Sequence, residues 1–147
     1  MSTIEEAREE LKRADHLIYV SLKYTRTCDI ILNIFKRLIV AHEFAIDSSL
    51  DFFKNKKNSN VSVPDSKTSK AELLLKLKKN YKPHIDAYFL MKKIENSDFD
   101  RREEYRKHVT MISKIEPDKD YEVDVPKVMD FFEKTKEFVS LVEEDIS

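Results

Sequence analysis

The sequence predicts an all-α protein, an up-and-down bundle of five or six helices, on three observations. It contains no glycine, so the reversals of an all-β chain would fall on Asn and Asp alone. Apolar residues recur at intervals of three and four along most of its length. The stretches between these stripes are mostly short, and short connections place successive helices antiparallel. With 147 residues, 41% hydrophobic and 37% charged, the chain suits a single helical-bundle domain over 1–147.

From Thr3 to about Lys23, the residues Ile4, Ala7, Leu11, Ala14, Ile18 and Leu22 paint one helical stripe. A longer stripe from Cys28 to about Lys54 runs through Ile31, Phe35, Leu38, Ala41, Ala45, Leu50 and Phe53, and Ile30, Ile34, Ile39 and Val40 widen it. That width marks the central helix. Residues 55–68, rich in Asn, Ser and Lys with Pro64, have the composition of a flexible loop. Ser69 and Glu72 before Leu73, Leu74 and Leu75 form a capping-box pattern, so a third helix is expected to start there. Pro83 fits the first turn of a fourth helix carrying Ile85, Tyr88, Phe89 and Ile94. Asp100 with Glu103 repeats the capping box and predicts a fifth helix from Arg101 to about Ser113. Between Ile115 and Val125, the alternation Tyr121, Val123, Val125 reads as a loop or one short extended piece without a partner strand. Pro126 opens a final helix whose apolar face is Val128, Phe131, Phe132, Thr135, Phe138, Val139 and Val142.

Several functions are excluded at this level. Phosphate cradles, dinucleotide turns and nucleophile elbows need glycine for positive φ or close backbone approach. A single cysteine, Cys28, forms no internal disulfide and suits a reducing compartment, so a cytoplasmic protein is expected. The N-terminal stretch lacks a signal-peptide layout, and no apolar run is long enough for a membrane span. No cofactor is indicated. His16 and His42 form no Glu-x-x-His pair of the kind that builds a di-metal centre, so no metal is expected. Asp29 beside Cys28 disfavours a thiolate nucleophile.

Net charge is −1, yet its distribution is uneven. Nine lysines against two acids between 54 and 82 give +7, and four lysines against eleven acids between 116 and 147 give −7. The two stretches are read as solvated surfaces, with Lys76, Lys78, Lys79 and Lys82 as a candidate anion-binding patch.

The residues that stand apart are Arg101, Arg102, Glu104, Tyr105 and His108. On a regular helix Arg101 and Glu104 lie within about 40° of His108 around the axis, Tyr105 about 60° away and Arg102 about 120°. One helical face would then carry an imidazole beside a cation and a carboxylate, the groups an acid/base phosphodiester cleavage requires. The same face includes Val109 and Ile112, so a packed histidine is the competing use.

Arg101 with six residues before His108, or Arg102 with five, resembles the motif of the HEPN superfamily. Arg13, Ala14, Asp15, His16 and Leu17, followed by Ala41, Glu43, Phe44, Ala45 and Ile46 in the long helix, are also similar to the first two helices of such proteins. The resemblance implies a helical bundle that pairs as a homodimer, associates with RNA, and in active members acts as a metal-independent ribonuclease, often with a cognate protein partner. His108 would move the proton, Arg101 or Arg102 would clamp phosphate, and Glu104 or Tyr105 would orient them. The alternative is a non-catalytic helical protein-protein interaction module.

Overall fold

The computed structural model describes residues 3–56 and 59–147. The first stripe folds as α1 (Thr3–His16), which passes without a break into a π-helical segment, Leu17–Leu22. Its inner side buries Ala7, Leu11, Ala14, Ile18 and Leu22. Thr27 then caps α2 (Cys28–Lys54), its hydroxyl accepting from the Ile30 N–H at 3.3 Å. α2 is the central element and touches α1, α3, α4 and α5. Its wide apolar arc makes this possible, with Ile31, Ile34, Phe35, Leu38 and Leu50 all sealed.

α4 (Lys82–Glu95) follows a single turn of 3-10 helix, Lys79–Tyr81, and carries Pro83 in its first turn. Proline is tolerated there because the first N–H groups of a helix have no partner within it. α5 (Val125–Ile146) begins the same way with Pro126, capped by Asp124 accepting from the Lys127 N–H at 2.9 Å. Phe131 of α5 meets Phe35 edge to face at 5.2 Å, a geometry that adds about 0.5–1.5 kcal/mol beyond area burial.

Two expectations require correction. α3 spans Lys67–Leu77, and its cap is Ser66, which accepts from the Ser69 N–H at 3.1 Å. Ser69 therefore lies inside the first turn. In the loop expected at 55–68, residues 57 and 58, and with them Lys57 of the lysine run, lie outside the described residues.

The larger correction concerns residues 101–113, which form no helix. Phe99–Arg102 is strand β1, Thr110–Glu116 is β2 and Lys119–Asp124 is β3, hydrogen-bonded antiparallel in the order β1-β2-β3. The chain is thus mostly helical with a small three-stranded sheet, not all-α. The supposed capping residue Asp100 pairs across the sheet with Ile112. Met111 lies opposite Val123, and Ser113 opposite both Phe99 and Tyr121. Such cross-strand pairs reward alternation on both strands at once, and Val109, Met111 and Ser113 are all buried. The β2–β3 reversal uses Pro117 and Asp118 between the paired Glu116 and Lys119, so it needs no glycine. The sheet fills the step between the end of α4 and the start of α5, with β2 against α2 and α4 and β3 against α5. Among the described residues, no helix is long and apolar enough to cross a membrane.

Candidate functional site

The β1–β2 turn, residues 103–109, carries most of the residues that the sequence singled out. Glycine would ordinarily supply its left-handed positions, and here they fall on Glu103 (φ 57°) and Tyr105 (φ 67°). Each costs on the order of 1 kcal/mol in a residue with a Cβ. Specific contacts offset this. The Tyr105 N–H donates to the Arg26 carbonyl at 2.7 Å, fastening the turn to the chain just before α2. The Glu104 carboxylate accepts from the Cys28 N–H at 3.1 Å, at the first residue of α2, where the helix dipole favours a negative charge.

Arg101 completes this anchorage. Its guanidinium donates to Asp29 at 2.9 Å and to Glu104 at 3.1 Å. The bond to Arg101 holds the Asp29 carboxyl below its ordinary range, and its two acids in turn raise the Arg101 guanidinium. Burial works against the charge on Glu104, but the Cys28 N–H and Arg101 outweigh it, so its pKa is also lowered. Arg101 and Glu104 therefore act on each other and on α2.

The other singled-out residues have separate surroundings. Arg102 pairs with Glu122 on β3. Tyr105 projects outward with 75% of its surface exposed. His108 is exposed in the turn, and its carbonyl accepts from the Thr110 hydroxyl at 2.9 Å. Arg102 and His108 line one polar cleft of about 420 Å³ together with Glu103, Lys107, Thr110 and Asp124. Of the lysine patch, Lys78 pairs with Asp145 and Lys82 with Asp86, leaving Lys76 and Lys79 without an ion pair among the described residues. The basic and acidic stretches of the sequence thus partly neutralise each other at Lys78.

A second cleft, of about 410 Å³, adjoins the first through Lys107, His108, Val125 and Pro126. Its wall is built from the π-helical segment and the start of α5, chiefly Ile18, Leu22, Val125 and Met129, and Lys23 and Arg26 complete its basic rim. Lys23, Arg26, Arg106 and Lys107 make no ion pair among the described residues. Tyr19 in the π-helical segment, Tyr24 just after it and Tyr105 in the β1–β2 turn are more than half exposed. Cations without ion pairs and exposed aromatic rings thus lie on the two stretches of chain that the Tyr105–Arg26 backbone bond joins, with Lys23 over the Tyr24 ring, and π-helical turns are frequent at functional sites.

Tyr19, Lys23, Tyr24, Arg26 and Lys107 were not among the residues that the sequence singled out. A signal was present: Tyr19, Val20 and Tyr24 lie off the buried stripe defined by Ile18 and Leu22, so a helix there leaves three large apolar side chains outside.

Cys28 is sealed beneath this site, its thiol donating to the Thr110 carbonyl at 3.4 Å. Burial, reinforced by the Glu104 carboxylate, pushes its pKa up to about 12. A disulfide reagent such as dithionitrobenzoate at neutral pH is expected to leave the native thiol unmodified and to react within seconds once denaturant unfolds the chain. Rapid stoichiometric labelling of the native protein would contradict this placement. Among the described residues, no three His, Cys, Asp or Glu side chains stand close enough to hold a metal ion. No protein-family model, curated protein or solved structure matches the chain.

Proposed function

We propose that this chain is an RNA-associated binding module that holds a single strand on the face where the β1–β2 turn meets the π-helical segment and does not cut it. The observation that carries this is the group of cations without ion pairs, Lys23, Arg26, Arg106 and Lys107, on the segments that expose Tyr19, Tyr24 and Tyr105. Cations neutralise phosphates, and exposed rings stack on unpaired bases whatever their sequence. The RNA association implied by the HEPN resemblance is kept; the ribonuclease step is left out. Acid/base cleavage would need a guanidinium free to clamp phosphate beside His108, whereas Arg101 is engaged by two carboxylates and Arg102 by Glu122. Binding through this face needs only one copy of the chain.

The test is fluorescence anisotropy with a labelled single-stranded RNA of mixed sequence across a salt series. Replacing Arg26 and Lys107 together by Gln is expected to weaken binding about tenfold or more at low salt. It should also flatten the logarithmic salt dependence by about 0.7 for each phosphate no longer neutralised. The pair Lys76→Gln and Lys79→Gln should stay within about twofold of wild type. The RNA should remain intact on a gel with wild type and with His108→Ala alike. No binding, or binding indifferent to Arg26 and Lys107, would overturn the reading and favour the alternative, a protein-docking module.

A further inference from the structure

We infer that the apolar cleft between the π-helical segment and the start of α5 is a nucleotide site, receiving one unstacked base of a bound strand while the adjoining phosphate rests on its basic rim. The choice of occupant rests on the RNA-binding reading; the cleft's own chemistry supports it separately. Its volume of about 410 Å³ falls within the roughly 300–1,000 Å³ usual for small-molecule sites.

The lining is divided by chemistry. Ile18, Leu22, Val125, Pro126 and Met129 supply an apolar wall, and Tyr19, 52% exposed, supplies a ring on which a base can stack. Lys23, Arg26, Lys107 and His108 supply the polar share, and none of the described residues that line the cleft is a carboxylate. Arg101, Arg102 and Lys114, the neighbouring cations of the sheet, are each bound to one or two acids, whereas Lys23, Arg26 and Lys107 have no acidic partner among the described residues. A ligand that suits both halves has an apolar, stackable body joined to an anion, which describes a nucleotide. A bare sugar phosphate would leave the wall wet, and an acyl carboxylate would leave the ring unstacked.

The geometry is also held in place before any ligand arrives. The Tyr105 N–H to Arg26 carbonyl bond and the Glu104 bond to α2 fix the turn that brings Lys107 and His108 to the rim. Asp124 caps α5 and sets the position of Val125 and Pro126. The backbone of the site therefore needs little ordering on binding, and the ordering that remains is that of the rim side chains Lys23, Arg26 and Lys107.

The test uses the full chain and three probes: adenosine 5′-monophosphate, ribose 5-phosphate and octanoate, each titrated against a labelled single-stranded RNA and followed also by tyrosine fluorescence. The nucleotide is expected to displace the RNA at a concentration at least tenfold lower than either of the others. Equal displacement by ribose 5-phosphate would reduce the site to its charges, and stronger displacement by octanoate would make it an acyl-chain site; either result overturns the inference. Met129→Trp, which fills the cleft, should weaken the nucleotide at least tenfold and RNA severalfold while leaving the salt dependence of RNA binding unchanged. Nucleotide binding unaltered by Met129→Trp would overturn the inference; if that variant does not fold, the wild-type competition decides alone. RNA bound through Arg26 and Lys107 but indifferent to the nucleotide would remove the nucleotide site and leave the RNA reading standing. Nucleotide bound without any affinity for RNA would do the reverse.

Discussion

Acidification from pH 7 to about pH 4.5 is expected to cost the fold roughly 2–3 kcal/mol through His42 alone. His42 is fully buried in α2, stacked on Phe138 at 5.0 Å and close to Tyr88. The Thr135 hydroxyl spends its one hydrogen on the Phe131 carbonyl at 2.8 Å, so at 3.2 Å it accepts from His42 Nε2–H. That fixes the neutral tautomer and leaves His42 Nδ1 buried without a partner. A second proton would have to sit there, in apolar surroundings. Burial first, and the nearby His84 second, depress the pKa from 6.5 to about 3.

The folded value lies below the unfolded one, so the unfolded chain takes up the proton first as pH falls. The contribution is complete above 6.5 and is lost on the way down to about 3, at about 1.4 kcal/mol per pH unit. His84, lowered chiefly by its own burial, adds in the same direction. Asp29, Glu104, Glu143 and Asp145, whose pKa values are also lowered, lose their share only further into acid. Urea unfolding at closely spaced pH values should therefore show a slope between pH 6.5 and 5 that His42→Leu largely removes. A wild-type profile that is flat over that window would contradict the buried neutral ring.

Glu43→Ala is expected to destabilise the chain by about 2–4 kcal/mol. The Glu43 carboxylate is almost buried in α2, and it accepts from the Tyr88 hydroxyl of α4 at 2.7 Å and from Lys67 at the start of α3 at 3.1 Å. One side chain thus ties both short helices to the centre. Removing it strands the buried Tyr88 hydroxyl, while Lys67, mostly exposed, simply rehydrates. Burial, together with the bond to Glu43, raises the Tyr88 phenol. Glu43→Gln keeps an acceptor for that hydroxyl and should recover much of the stability, and Tyr88→Phe should make the alanine change markedly less harmful. Denaturant midpoints at unchanged slope give the comparison. Additive single changes would show that the two groups do not act together.

The helical frame was legible because it rests on local signals. The wide stripe from Cys28 to Lys54 coincides with α2, and Pro83 and Pro126 fall in the first turns of α4 and α5. Residues 101–113 misled for an equally physical reason. Arg101, Arg102, Glu103 and Glu104 have the charge spacing and capping pattern of a helix start, whereas the decisive pairs, Met111 with Val123 and Ser113 with Tyr121, are between strands. The alternation in Tyr121 and Val123 was visible; its counterpart in Val109, Met111 and Ser113 was hidden inside an apparent helix. Absence of glycine argued against hairpins, yet Glu103 and Tyr105 adopt the left-handed positions because Glu104 and the Tyr105 N–H bind the start of α2 and the segment before it. Within the site, His108 and Arg102 do share a cleft, through a turn and a strand end in place of a helix face. Lys23 and Arg26 join them only through tertiary folding, which no local pattern records.

Where a strand of RNA touches this chain decides between the readings of its function. Backbone amide shifts of the isotope-labelled protein, followed during titration with a single-stranded oligoribonucleotide, address that directly. The predicted perturbations concentrate at residues 19–27, 102–108 and 125–129, with α3 and residues 76–82 unaffected. Shifts centred on Lys76, Lys78, Lys79 and Lys82, or no shifts at saturating RNA, would contradict it.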